Sequence, residues 1–96
     1  MSLDKEDIKK IAMAVYDAIF NNLENVKIEN NEIPIKKFSS GIRYIDYGGY
    51  RFIEQNRNKP SQWGKKAREG HKIMWVIKGR RYIARIFDGE FIFLGK

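Results

Sequence analysis

Between Arg57 and Arg81 the chain places nine lysines and arginines against a single acid, Glu69, and sets Trp63, His71, Met74 and Trp75 among them. Cationic side chains neutralise phosphates and release counterions, while flat aromatic faces hold unstacked bases. The mixture therefore suits a single nucleic-acid strand better than a rigid duplex. The phosphate-contact candidates are Arg57, Lys59, Lys65, Lys66, Arg68, Lys72, Arg81 and Arg85, and the apolar or stacking candidates are Tyr47, Tyr50, Trp63 and Phe87. Covalent chemistry has less material. Zero cysteines rule out thiolates and disulfides, and one histidine leaves a metal only carboxylates as further ligands, so neither metal nor cofactor is expected. No serine-histidine-acid set is evident, Asp46, Glu54, Glu69 and Asp88 lack a two-metal spacing, and the glycine pairs do not make a phosphate loop. The remaining enzymatic reading is a small ribonuclease using His71, Glu69 and nearby arginines.

Charge is unevenly distributed. The formal net charge is +7, but residues 1–33 hold four basic and seven acidic groups, whereas residues 34–96 hold fifteen and five. Such a one-sided field points to an anionic partner facing the C-terminal two-thirds. Fourteen isoleucines, twelve lysines and no cysteine also fit a heat-adapted intracellular protein. The first residues turn acidic at once and no segment nears the roughly 20 apolar residues of a membrane span, so a cytoplasmic protein without a membrane partner is expected.

The elements that must position these groups read as one α+β domain over residues 1–96. From Asp4 to about Asn25, Ile8, Ile11, Ala12, Val15, Ile19 and Leu23 recur at helical spacing, with Tyr16 and Phe20 widening the stripe. Ser2 or Asp4 supplies the cap. Val26–Glu29 and Ile33–Phe38 read as strands around Asn30-Asn31, the second at an edge because of Pro34. Gly48-Gly49 closes a hairpin of Gly41–Tyr47 and Tyr50–Gln55, pairing Tyr47 with Tyr50, Ile45 with Phe52, Arg43 with Glu54, and Asp46 with Arg51. Ser61 opens a short second helix, near 61–69, that stops at Gly70; Gly64 weakens it.

Lys72–Lys78, Arg81–Phe87 and Glu90–Leu94 form a three-stranded meander through Gly79-Arg80 and Asp88-Gly89. Propagating both loop registers puts Ile73, Trp75, Ile77, Tyr82, Ala84, Ile86, Phe91 and Phe93 on a core face. Lys72, Met74, Val76, Lys78, Arg81, Ile83, Arg85, Phe87, Glu90, Ile92 and Leu94 fall on an outer face that is both cationic and apolar. Trp75 and Tyr82 are thereby excluded from stacking, unless a β-bulge shifts a hairpin.

The segment from Ile53 to Val76, centred on Gln55-Asn56-Arg57-Asn58-Lys59-Pro60-Ser61-Gln62-Trp63-Gly64-Lys65-Lys66-Ala67-Arg68, resembles the central block of the archaeal ThermoDBP-type single-stranded DNA-binding proteins and their shorter relatives. That resemblance implies a compact α+β domain, a cleft lined by basic and hydrophobic side chains, little dependence on base sequence, and self-association. Gln55, Asn56, Lys59, Trp63, Lys66, Arg68 and Lys72 are the positions similar to the block; no C-terminal leucine-zipper extension is evident. The leading expectation is a non-enzymatic protein binding single-stranded DNA, or RNA, with low sequence specificity. A protein-interaction or homo-oligomerisation module, such as a homodimer, is the alternative, and a ribonuclease using His71 the third reading.

Overall fold

The computed structural model describes residues 3–95. Helix α1 (Lys5–Phe20) opens on Asp4, whose carboxylate accepts the Asp7 N–H at 2.8 Å while the Asp7 carboxylate accepts the Asp4 N–H in return. This reciprocal cap satisfies two donors that the first helical turn leaves free. Ser2, the other candidate cap, lies outside the described residues. The helix ends sooner than its apolar stripe: the Asn21 amide donates to the Asp17 carbonyl, and Asn22 turns left-handed at φ 58°. Leu23 is consequently past the helix and 55% exposed instead of on its buried stripe. Ile8, Ile11, Val15, Tyr16 and Ile19 are buried, the last completing a core that reaches onto the sheet.

Strands β1 (Asn25–Ile28) and β2 (Asn31–Pro34) form a separate two-stranded sheet. Their loop is Glu29-Asn30, one residue earlier than the asparagine pair predicts, and Glu29 takes the positive φ of 56°. This register sets Val26 opposite Ile33, so the hairpin turns its apolar residues to one side. The predicted strand from Ile33 to Phe38 breaks at Ile35, whose N–H donates to the Glu24 carbonyl at 2.9 Å. Its remainder, β3 (Lys36–Lys37), joins the larger sheet.

That sheet has six antiparallel strands in chain order: β3, β4 (Arg43–Tyr47), β5 (Tyr50–Glu54), β6 (Ile73–Lys78), β7 (Arg81–Phe87) and β8 (Glu90–Phe93). The fold is α+β, as expected. The β4–β5 register has the predicted pairs Tyr47–Tyr50, Ile45–Phe52 and Asp46–Arg51, while Arg43 meets Glu54 through its side chain and not as a ladder partner. A short helix α2 (Gln62–Arg68) begins at Ser61, whose Oγ accepts the Gly64 N–H at 3.1 Å, and is followed by Gly70 at φ 104°.

The meander departs from its predicted faces. Lys78 opposes Arg81 and Ile77 opposes Tyr82, but the register then shifts, so Val76 meets Ala84 and Trp75 meets Arg85, with Ile83 as the extra residue. The bulge gives the two strands opposite corrections. In β7, Ala84 and Ile86 stay on the α1 side, but Tyr82 leaves it and is 52% exposed. In β6, Met74 and Val76 occupy the α1 side, whereas Ile73, Trp75 and Ile77 point away from the helix. A strand that is apolar on both faces has no alternation to choose its side, and the choice fell to packing beneath α1. Lys78 and Arg81 move with this correction to the helix side, where Lys78 Nζ lies 5.2 Å from the Tyr50 ring centroid.

Helix and sheet are joined by a partly buried ion pair. Arg43 donates through Nε and Nη2 to Glu54 at 2.8 and 3.0 Å, and through Nη1 to the Ile19 carbonyl at 2.8 Å and the Asn22 side chain at 2.9 Å. Glu54 also accepts the Arg43 backbone N–H. Removing one partner strands the other charge away from water. Glu54→Gln is expected to destabilise the fold by about 3 kcal/mol, at the low end for buried pairs because Arg43 retains some solvent contact. The measurement is a lower urea midpoint at an unchanged denaturant slope.

Candidate functional site

The sheet face turned away from α1 carries two cross-strand rows. One runs Tyr44, Ile53, Trp75, Arg85, Ile92; its neighbour runs Asp46, Arg51, Ile77, Tyr82. Aromatic, aliphatic and cationic groups therefore share this face. α2 covers one end of this face, bringing Trp63 edge-on to Trp75 at 5.3 Å between centroids and to Phe87 at 6.1 Å. Tyr82 also meets Trp75, at 5.3 Å and nearly perpendicular.

Trp75 is held by a polar contact. Its Nε1–H donates to Gln55 Oε1 at 2.6 Å, and Gln55 Nε2 donates to the Asn56 carbonyl at 3.0 Å. Both Gln55 and the preceding Glu54 are buried, yet they serve opposite sides of the sheet: Glu54 anchors helix α1 and Gln55 orients the indole. At the far end Phe38 stacks on Tyr44 at 4.3 Å, and the Arg51 guanidinium lies 4.5 Å from the Tyr44 ring while its Nε donates to Asp46 at 2.7 Å. Arg85 is arranged differently. Its guanidinium lies 4.6 Å from the Trp63 ring and 5.7 Å from that of Trp75, no acid pairs with it among the described residues, and its Nε is shut from solvent without a partner. It is a cation held by aromatic surface.

Of these groups, Phe38, Gln55, Trp63, Trp75 and Tyr82 line a cleft of about 540 Å³. Ile53, Trp75, Ile77 and Tyr82 form its sheet side, Phe38 and Ile42 one flank, and Trp63, Asn56 and Lys59 the other. The second flank is braced internally: Arg68 Nη1 donates to the carbonyls of Arg57 and Lys59, and Asn56 Oδ1 accepts the Asn58 N–H at 2.8 Å. Gly64 explains its own place in a short helix. A Cβ there would collide with the Lys59 carbonyl, so the helix can approach the loop only through glycine.

Of the predicted contact residues, the structure brings Lys59, Trp63, Lys66, Arg85 and Phe87 to this face, with Lys66 Nζ 5.9 Å from the Phe87 ring. Arg57 and Lys65 are exposed nearby, on the loop and on α2, while Arg68 is engaged in bracing. Tyr47, Tyr50 and Arg81 lie on the α1 side. Lys72 is at the border between β6 and α1, its carbonyl accepting the Tyr16 hydroxyl at 3.1 Å. The sequence reading missed Phe38, Tyr44 and Arg51 and excluded Trp75 and Tyr82. The Asp46–Arg51 pairing was a usable signal, because it already identified the side of β4 and β5 that carries Tyr44 and Ile53.

His71 forms a latch instead of facing the cleft: Nδ1 is 2.8 Å from Asp88 Oδ2, and the ring stacks on Phe87 at 5.0 Å. Asp88 also accepts the Lys72 backbone N–H at 2.8 Å. Among the described residues no group of three histidine or acidic side chains is placed to hold a metal ion, and no helix is long and apolar enough to cross a membrane. Compared with protein-family models, curated proteins and solved structures, the chain matches none.

Two carboxyls lie below their ordinary range: Asp88, through the Lys72 backbone N–H and then His71, and Asp46, through its bond to Arg51. Depressed folded values give stability that is fully present above the unfolded value of about 3.9 and is lost as the pH falls through the folded ones. Asp46→Asn and Asp88→Asn are each expected to flatten the acid-side fall of the melting temperature below about pH 4. Gly64→Ala tests the loop–helix contact. Alanine favours an isolated helix by about 1 kcal/mol, so a lower melting temperature in this variant identifies the Lys59 collision as dominant.

Proposed function

We propose that the protein binds single-stranded nucleic acid with little sequence preference on the sheet face opposite α1. The observation that carries this reading is the convergence of Trp63, Trp75 and Tyr82 around a cleft that Lys59 also lines, with the Arg85 guanidinium held over the rings of both tryptophans. Aromatic faces accept any base, and cations placed beside them meet the connecting phosphates, so affinity follows without base-edge readout. Arg85 contributes most among the cations here, since Arg51 is already neutralised by Asp46. The Ile53–Val76 block, which resembles the archaeal single-stranded DNA binders, supplies Gln55, Lys59, Trp63 and Trp75 of this site.

Both tryptophans of the chain lie at the cleft, so their emission reports occupancy directly. Titration with single-stranded oligonucleotides is expected to quench it, with duplexes of the same sequence binding more weakly. With about five phosphate contacts, log K should fall against log salt with a slope near −3.5, from roughly −0.7 per contact. Tyr82→Ala is expected to cost about 1–3 kcal/mol of binding free energy, the contribution of one stacked base. Quenching that is insensitive to salt, or unchanged affinity in this variant, would overturn the proposal.

A further inference from the structure

The two edges of the large sheet are differently protected. β3 is two residues long and both are lysines, a composition that discourages pairing with another strand. β8 has neither lysine nor proline, and Ile92 and Phe93, on its opposite faces, are 36% and 37% exposed. Its backbone is committed on one side only. The two-residue loop Asp88-Gly89 makes Phe87 and Glu90 the closing pair, so Ile92 bonds inward to Arg85, and the Leu94 N–H continues inward to the Ile83 carbonyl at 2.8 Å. Phe91 and Phe93 alternate with these residues, and their N–H and C=O groups point out from the sheet.

We infer that β8 is a self-pairing edge that joins two copies of this chain in antiparallel register across a two-fold axis at Ile92. The register follows from the backbone. Pairing Phe91 with Phe93 of the second copy, and Phe93 with Phe91, uses all four outward-facing residues of the two strands; a shift in either direction uses fewer. The side chains agree with it. Phe91 and Phe93 already meet edge to face at 4.8 Å on the α1 side, so the axis doubles this pair into a four-ring cluster. On the other face Ile92 meets Ile92. Lys5 has its Nζ 5.3 Å from the Phe93 ring and borders the cluster as a cation over an aromatic face. Such a contact is small beside obligate interfaces, so association is expected at micromolar protein rather than far below it.

This inference does not rest on nucleic-acid binding, and its test contains no nucleic acid. Sedimentation equilibrium of the full chain, from low to high micromolar concentration, is expected to show a monomer–dimer equilibrium. Ile92→Lys and Ile92→Glu each place like charges opposite one another at the axis, on an exposed face that leaves the monomer core untouched. Each variant alone should be monomeric over the same range with a near-unchanged melting temperature, and an equimolar mixture should regain the dimer. A monomeric wild type at every concentration overturns the proposal, as do single variants that dimerise like wild type or a mixture that stays monomeric.

Discussion

Arg43 is the group on which the rest of the structure depends. Its guanidinium closes the end of α1 by taking the Ile19 carbonyl, holds Glu54 at the end of β5, and fixes the turn at Asn22. Hydrophobic burial drives α1 onto the sheet but has no direction, whereas the planar fork of donors accepts a single arrangement of its three partners. The helix is therefore positioned along its axis as well as pressed onto the core. Gln55, the next residue after Glu54, reaches the opposite face to hold Trp75. Two consecutive residues at the end of β5 and just beyond it thus set both the scaffold and the candidate site, through buried polar side chains facing opposite ways.

Much of the fold was legible because local chemistry specifies it. The Asp4 and Ser61 caps, the glycine pair at residues 48–49 and the loops after Lys78 and Phe87 each impose a backbone conformation through adjacent residues alone. Legibility ended where the decision was tertiary. Residues 73–77 are apolar throughout, so nothing in their order says which side meets the helix. Ile83 is β-branched and carries no mark of a bulge, such as glycine, yet it displaces the ladder by one residue. Leu23 misled for the opposite reason: it continued the helical period past the asparagines that stop the helix.

The candidate site was legible in composition and not in placement. A basic aromatic stretch identifies the residues available, but a pleated strand distributes them over two faces. Tyr47, Tyr50 and Arg81 went to the helix side, and Arg68 was consumed by carbonyls of the loop preceding its helix. Trp75 and Tyr82 came to the opposite side because of the displaced ladder. The contact of Trp75 with Trp63 joins helix α2 to the sheet, a relation that no spacing within the strand records.

The close approach of Gly64 to the Lys59 carbonyl has a mechanical consequence. Loop and helix touch through backbone, and Arg68 binds the same loop, so residues 56–69 cannot flex piecemeal without breaking hydrogen bonds or separating packed main chain. Any change in cleft width must then swing this segment as a unit, with the torsion taken up at its two ends, next to Gln55 and at Gly70, whose left-handed backbone ends the helix. Moving the flank that carries Trp63 would also have to separate Trp63 from Trp75.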